Sequence, residues 1–457
     1  MGNEVTGRRE GILRFAFAFA ATLFVSGCGG LNPLTMFDGG DDDESERLQG
    51  ERISVMSLDQ ALEADPALAG VPVALPAPYV NEDWPQPGGY PSHAMQHLEI
   101  PDTIERAWSV KIGDGSNADI RLTEPPIVAG GRVFARDAGS KVTAVDIATG
   151  RRVWQVDLKP KKSDRELGTG GGVAYLDGRI FATIGFGFAV ALDAETGTEI
   201  WRQDLGLPVR AAPTADDGRV YVTTYDNQFY ALDATDGRIL WNYRATPETA
   251  QLLVGSSPAV SGDVVIAPFT SGEVLALRAQ NGRVAWTDAL QRTGTLTPLA
   301  TLNDIAGRPV VDRGRVFAVS HNGRMVSIDL RSGERVWIRD IGSVHTPWVA
   351  GDYVYVLTVD GELICLNWAD GRIRWLTPLQ QFKNEKKRKD MIQWSGPVLA
   401  GDRLLVVSSQ GEALSVSPYT GEILGRIKIP DGGFISPVVA NRTVFILTDG
   451  AELIAYR

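Results

Sequence analysis

The sequence predicts an all-β protein, an eight-bladed β-propeller of four-stranded antiparallel blades whose ring is closed by pairing an N-terminal strand with the C-terminal blade. The first observation is a motif that recurs about every 44 residues, the length of one propeller blade. The second is an unpaired strand pattern at each end of the repeat region. No twenty-residue window has helical periodicity, so an all-β architecture is strongly favoured.

The repeat has the form Ala-x-Asp-x-x-Thr-Gly-x-x-x-Trp and is clearest at residues 144–154 and 191–201. Asp favours the start of a tight turn and Gly accepts the positive φ that such a turn requires, so each copy predicts a hairpin before an outer strand. We expect the repeat tryptophans to pack between blades; they are Trp108, Trp154, Trp201, Trp241, Trp286, Trp337 and Trp375. A further copy at Ser415–Gly421 has Gly425 where the Trp would stand.

The two ends of the repeat region complement each other. Arg106–Lys111 resembles an outer Trp strand without a preceding hairpin, and Leu453–Tyr456 resembles a third strand without a following partner. Pairing them would close the ring and remove the exposed edges that invite aggregation. Eight blades is therefore the predicted number, and seven is the alternative.

The first residues have the layout of a secretory signal. Three arginines precede an apolar run, Phe15–Val25, that is too short to cross a bilayer as a helix. Val25-Ser26-Gly27-Cys28 resembles a bacterial lipobox, which implies cleavage after residue 27 and lipidation of Cys28. An ordinary signal peptide with an incidental cysteine is the alternative.

Changes in composition along the sequence divide the chain into four segments. We predict a signal peptide at 1–27, a lipidated, acidic and flexible tether at 28–50, an N-terminal extension packing on the propeller at 51–104, and the propeller at 105–457. The formal net charge of −11 argues against a general nucleic-acid binder, because phosphate neutralisation requires positive surface. Cys365, the second of two cysteines, is expected to be a small buried strand residue.

The four histidines show no metal-ligand spacing beyond the pair His93 and His97, which lacks a third ligand. No Gly-x-Ser-x-Gly nucleophile motif is present. We therefore expect no catalytic residues, no metal site and no cofactor.

The repeat is similar to that of the quinoprotein (PQQ-like) propellers, and a lipobox followed by eight such blades resembles the BamB family of outer-membrane assembly lipoproteins. The resemblance implies a non-enzymatic scaffold, anchored in the outer membrane and facing the periplasm. It would dock on the POTRA region of BamA beside other BAM subunits and assist insertion of nascent outer-membrane proteins. A PQQ-dependent dehydrogenase and a small-ligand-binding propeller are the alternatives; the adjacent cysteine pair of those dehydrogenases is absent here.

The connections between blades indicate where a partner would bind. Those after Trp241, Trp286 and Trp375 are long, and long loops on a rigid frame commonly carry binding. The loops after Trp241 and Trp286 carry apolar residues, among them Leu252 and Leu253, which would contact a partner or, in the alternative, cover the ring's own core. The resemblance implies partner contacts at Leu253 and Asp304; the chain departs from the family pattern at Val254, where Arg is expected, and at Ala306, where Asp is expected. The basic stretch 383–389 is expected to be a solvated loop, with contact to anionic lipid or an acidic partner as the alternative.

Overall fold

A computed structural model describes residues 62–160, 170–248, 251–252, 255–291 and 303–457. Within these ranges the chain forms eight four-stranded antiparallel sheets and one two-stranded hairpin. The predicted eight-bladed propeller is confirmed, and the seven-bladed alternative is wrong. No helix among these residues is long and apolar enough to cross a membrane. Cys28 and Leu253 lie outside the described residues.

The first four blades follow one another along the chain, each beginning with its innermost strand. Blade 1 consists of β2 (Ile127–Ala129), β3 (Arg132–Arg136), β4 (Lys141–Asp146) and β5 (Arg152–Asp157). Blade 2 consists of β6 (Val173–Leu176), β7 (Arg179–Ile184), β8 (Phe188–Asp193) and β9 (Glu199–Asp204). Blade 3 consists of β10 (Thr214–Asp216), β11 (Arg219–Thr223), β12 (Gln228–Asp233) and β13 (Ile239–Arg244). Blade 4 consists of β14 (Ala259–Ser261), β15 (Val264–Pro268), β16 (Glu273–Arg278) and β17 (Val284–Ala289).

The remaining blades complete the ring, and the last one takes its outer strand from the N-terminal side. Blade 5 consists of β18 (Val310–Asp312), β19 (Arg315–Val319), β20 (Met325–Asp329) and β21 (Arg335–Arg339). Blade 6 consists of β22 (Trp348–Ala350), β23 (Tyr353–Leu357), β24 (Glu362–Asn367) and β25 (Ile373–Pro378). Blade 7 consists of β28 (Trp394–Ala400), β29 (Arg403–Ser408), β30 (Glu412–Val416) and β31 (Ile423–Lys428). Blade 8 consists of β32 (Val438–Ala440), β33 (Thr443–Leu447), β34 (Glu452–Tyr456) and β1 (Arg106–Lys111).

Four short elements of the described residues lie outside the blades. One 3-10 turn spans Pro66–Leu68, and a second one, Glu385–Lys387, connects β26 (Phe382–Asn384) to β27 (Lys389–Met391). The β26–β27 hairpin lies between blades 6 and 7 and contains the basic stretch 383–389, which is exposed. That stretch is therefore an ordered hairpin instead of an irregular loop.

Ring closure follows the predicted pairing of the two chain-distant strands. β1 pairs antiparallel with β34, with Trp108 opposite Ala455 and Lys111 opposite Glu452. Two further backbone hydrogen bonds join Glu105 and Arg457, at 2.7 and 2.9 Å. Because this pairing completes the fourth strand of blade 8, the sheet edge of β34 is covered.

Each repeat tryptophan joins its blade to the next one. The seven indole N–H groups donate to backbone carbonyls in the third-to-fourth-strand turn of the following blade, at distances of 2.8 to 3.1 Å. Each indole lies against the turn glycine of that next blade. A Cβ added to this glycine would come within 2.8 Å of the tryptophan side chain. The glycines are Gly150, Gly197, Gly237, Gly282, Gly333, Gly371 and Gly421, all at positive φ. Glycine is therefore required at the turn for its backbone conformation and for the close approach of the indole.

The blade topology sorts the loops onto two faces of the ring. The connections from one blade to the next emerge on one face, which we call the connection face. The hairpins between first and second strands, and between third and fourth strands, emerge on the opposite face, which we call the hairpin face. This follows from the antiparallel order of four strands in every blade.

The segment before β1 crosses the hairpin face at the centre of the ring. Between Tyr79 and Leu98 it hydrogen-bonds to the first strand of every blade or to the residue just after that strand. The contacted residues, in blade order, are Val128, Tyr175, Ala215, Val260, Val311, Gly351, Gly401 and Asn441. Trp84, Met95 and Leu98 of the segment are buried, and Trp84 stacks on Trp348 at a centroid distance of 6.1 Å. The segment thus covers this end of the central channel.

Two histidines of that segment are bonded to backbone groups around them. His93 Nδ1 is 2.7 Å from the carbonyl oxygen of Pro309, and burial lowers the pKa of His93 to about 3, although that hydrogen bond raises it. His97 Nδ1 lies 2.8 Å from the Pro76 carbonyl oxygen, and its Nε2 accepts a hydrogen bond from the backbone N–H of Asp402. The His93/His97 pair therefore serves packing and backbone contacts in the segment.

The indole contact can be tested with two glycines of blade 3. Gly237 and Gly218 both have positive φ, at 79° and 70°, but a Cβ at Gly237 would lie 2.6 Å from Trp201 whereas one at Gly218 would meet nothing. Both alanine variants carry the same kind of backbone strain. We expect Gly237→Ala to lower the free energy of unfolding by about 1–3 kcal/mol more than Gly218→Ala, measured by urea denaturation. Equal losses would contradict a role for the indole.

The neutral state of His93 predicts an acid-sensitive stability. Between the ordinary pKa of 6.5 and the lowered value of about 3, the unfolded chain takes up a proton that the folded chain excludes, so stability falls as pH falls. The free energy of unfolding should fall with decreasing pH in the wild type more steeply than in His93→Gln. We expect the two slopes to differ by about 1.4 kcal/mol per pH unit. Urea denaturation at several pH values between 6.5 and 4 measures both slopes. Parallel slopes would show that His93 is protonated in the folded chain.

Candidate functional site

Three successive connections meet on the connection face around one buried carboxylate. Asp304 Oδ2 pairs with Arg210 Nη2 at 2.8 Å and accepts the backbone N–H of Leu252 at 3.0 Å. A guanidinium nitrogen of Arg210 also donates to the Leu252 carbonyl oxygen at 2.9 Å. Arg210 precedes blade 3, Leu252 precedes blade 4 and Asp304 precedes blade 5. The three residues therefore fix the relative positions of three loops.

The predicted partner residues Asp304 and Leu252 differ in how far they are buried. The Asp304 side chain is only 2% exposed, so in this structure it contacts the chain's own loops instead of presenting a free carboxylate. Leu252 is half-buried, with both backbone polar groups bonded to the ion pair beneath it. The structure thus brings Leu252 and Asp304 together, with Leu252 nearer the surface.

Arg210 is a residue of this site that the sequence analysis did not identify. It lies 94 residues before Asp304, in the connection between blades 2 and 3, and nothing in the repeat marks it. The resemblance implies an arginine at position 254, where this chain has valine. The signal that could have found Arg210 is its place just before the inner strand of blade 3, where connection residues approach the ring centre.

A second ion pair crosses the connection face at the centre of the ring. Glu124, which precedes blade 1, pairs with Arg308, which precedes blade 5, and these blades lie opposite each other in a ring of eight. Burial raises the pKa of Glu124, although the Arg308 charge lowers it. Arg136 lies close to the pair; burial lowers its pKa to about 10, while the charges of Asp137 and Glu124 raise it. The inner connections are thus tied together across the channel axis by buried charges.

The residues do not fit the cofactor of the quinoprotein enzymes. The only cysteines of the sequence are Cys28 and Cys365, so an adjacent pair is impossible. Cys365 is fully buried in β24, and burial raises the pKa of its thiol. In the described part of the chain, no three His, Cys, Asp or Glu side chains are grouped so that they could hold a metal ion. We derive no chemical step through a quinone or a metal.

Comparisons with known proteins give the family. The family model described as outer membrane protein assembly factor BamB matches residues 92–167 and 139–377. Proteins of that name from Yersinia pestis and Nitrosomonas eutropha are each 28% identical to this chain, over 77% and 74% of it and over 88% and 78% of their own lengths.

Solved structures show the same fold at lower identity. The crystal structure of BamB from Moraxella catarrhalis superimposes with a TM-score of 0.64 at 19% identity, covering 78% of this chain and all of that one. A europium-containing methanol dehydrogenase superimposes with a TM-score of 0.65 at 14% identity, covering 82% and 98%. At these identities the structures support the propeller fold alone. The family-model match extends over more than half of the sequence, and the chain therefore belongs to the BamB family of outer membrane protein assembly factors.

Proposed function

We propose that this chain is a non-enzymatic scaffold lipoprotein of the outer-membrane β-barrel assembly machinery. It would be attached to the outer membrane through lipid on Cys28 and face the periplasm. Its connection face would dock on the POTRA region of BamA, next to other BAM subunits, and so assist insertion of nascent outer-membrane proteins. Family membership supports the general role, and the lipobox pattern supports the anchor.

The observation that carries the docking proposal is the arrangement around Asp304. A buried ion pair bonds both backbone polar groups of Leu252, so the backbone at Leu252 is anchored before any partner arrives. Ordering a loop on binding costs free energy, and a loop that is already anchored avoids part of that cost. In this proposal Leu252 and Leu253 contact the partner, while Asp304 and Arg210 are positioning residues.

The proposed mechanism is placement without any bond being made or broken. The ring is a rigid frame because each junction is fixed by an indole or by the segment on the hairpin face. The acidic stretch 41–46 repels itself and suits an extended spacer between lipid and ring. The scaffold would thus hold the POTRA region at a limited distance from the membrane.

Binding to POTRA domains tests the face. The full chain in detergent is titrated with a purified POTRA fragment of BamA, using Leu252→Asp, Leu253→Asp and the matched control Val153→Asp. Val153 is an apolar residue on the outer strand of blade 1, 46% exposed and away from the loop. Because a charge at the centre of an apolar contact is costly to desolvate, we expect each Leu variant to bind at least about tenfold more weakly.

The control must bind like the wild type for the result to be specific. If all three variants bind equally well, the connection-face loop is not the docking site. If the wild type shows no binding to any POTRA domain, the proposed partner is wrong, although the fold and the family assignment are unaffected.

The positioning role of Asp304 has its own test in stability. Removing the carboxylate leaves the buried Arg210 charge without this partner, and breaking a buried pair from one side costs about 3–5 kcal/mol. We expect Asp304→Ala to lower the free energy of unfolding by about 3 kcal/mol, and the double variant Arg210→Met/Asp304→Leu to recover most of it. Asp263→Ala, in the exposed pair with Arg278, is the control and should cost less than about 1 kcal/mol. Denaturant titration measures all four proteins; a small loss for Asp304→Ala would contradict the positioning role.

A further inference from the structure

The junction between blades 7 and 8 lacks the indole that joins the other blades. In blade 1 the tryptophan stands opposite a small residue of the third strand, with Trp154 paired to Ala144. Gly425 occupies this register in blade 7, opposite Ser415. A Cβ built on Gly425 would meet no heavy atom within 4 Å, whereas the turn glycines of the other junctions are crowded by an indole. The place of the missing side chain is therefore open.

An apolar cavity of about 340 Å³ lies at this place. Its wall comes from both blades and from the residues just before β1, and includes Ile104, Leu405, Leu414, Gly425, Val444 and Ile446. The volume is within the range of small-ligand sites, about 300–1,000 Å³. The cavity thus has the size and lining that suit an aromatic ring.

Hydrogen-bond acceptors lie near this cavity. In blades 1, 2 and 5 the second strand begins with an arginine. Its guanidinium donates to a carbonyl oxygen in the turn of the next blade, and the indole N–H of the repeat tryptophan donates to the same oxygen. The pairs are Arg132 with Trp154, Arg179 with Trp201 and Arg315 with Trp337. Arg403 is the corresponding arginine of blade 7 and donates to the carbonyls of Asp102 and Pro101. The carbonyls of residues 101–102 therefore stand where the indole-accepting turn stands at other junctions.

The closure of the ring explains why this junction differs. The third and fourth strands of blade 8, β34 and β1, come from distant parts of the chain, so no hairpin with a turn glycine joins them. An indole on blade 7 would have no such turn to pack against. Residues Thr103 and Ile104, which lead into β1, form part of the cavity wall in its place.

The surroundings of the cavity favour a polypeptide as the source of the ring. β31 is the outer strand of blade 7 and, among the strands that the structure describes, pairs with β30 alone, so its outward backbone edge is available for strand addition. Leu424, on this strand and at the cavity, is 55% exposed. A strand lying along β31 would contact Leu424 and could direct a side chain inward at Gly425.

We propose that this cavity binds an aromatic side chain, preferentially an indole, carried by an extended segment of another polypeptide that pairs with β31. The bound indole would fill the space that the repeat tryptophan fills at other junctions, and its N–H would donate to the carbonyl oxygen of Asp102. The inference does not rest on the POTRA docking proposal, since it concerns a different part of the ring.

A labelled peptide tests the site. The full chain is titrated with a fluorescein-labelled peptide of alternating Thr and Val that carries one central Trp, and fluorescence anisotropy is measured. The comparison peptide has Ala in place of Trp, and N-acetyl-tryptophanamide serves as competitor. We expect the Trp peptide to bind at least about tenfold more tightly than the Ala peptide.

Three variants locate the binding. Gly425→Trp supplies the missing indole from the chain itself and should abolish binding, while Val153→Trp places the same side chain on the exposed outer strand of blade 1 and should leave binding unchanged. Leu424→Asp alters an exposed side chain, which spares the fold, and should weaken binding at least about tenfold. Thermal unfolding of each variant verifies that the ring remains folded.

Three results would overturn the proposal. Equal binding of the Trp and Ala peptides would show that the cavity does not recognise an aromatic ring. Unchanged binding by both Gly425→Trp and Leu424→Asp would place the peptide elsewhere. Competition by N-acetyl-tryptophanamide at the same concentration as the peptide would show that a free aromatic molecule suffices and that pairing with β31 contributes nothing.

Discussion

The contact between an indole and the turn of the next blade is the interaction on which the ring depends. A single four-stranded blade cannot bury both of its faces, so each blade is stable only against its neighbours. The indole covers apolar surface on one side of the junction and, through its N–H, bonds a turn carbonyl on the other. The same contact recurs at seven of the eight junctions.

Ring closure imposes the one exception to this rule and explains two features of the N-terminal region. Blade 8 cannot offer a turn to blade 7, because its outer strand enters from residues 106–111. Residues 101–104 take over part of the contact through the carbonyls that Arg403 binds. The chain before them then crosses the hairpin face and reaches all eight blades, so the segment that closes the ring also covers its centre.

The fold could be predicted from the sequence, but the contacts at the centre of the ring could not. The repeat predicted the blades, and the orphan strands at Arg106 and Leu453 predicted their closure, because both signals are periodic or complementary within the chain. Residues such as Trp84 and Arg210 make contacts that are not repeated from blade to blade, so no period in the sequence marks them. Asp304 was predicted from the family resemblance, but its burial depends on an arginine 94 residues away and could be seen only in three dimensions.

The two faces of the ring therefore differ in what they can offer a partner. On the hairpin face the inner strand ends are already bonded to residues 79–98, and a partner there would have to displace buried side chains such as Leu98. On the connection face the buried ion pairs lie beneath loops whose outer residues are at the surface. The buried charges of these ion pairs contribute little net attraction to a partner, because each charge is already neutralised by the opposite charge beside it. Their effect is to fix loop geometry, so recognition must come from the apolar side chains that they hold in place.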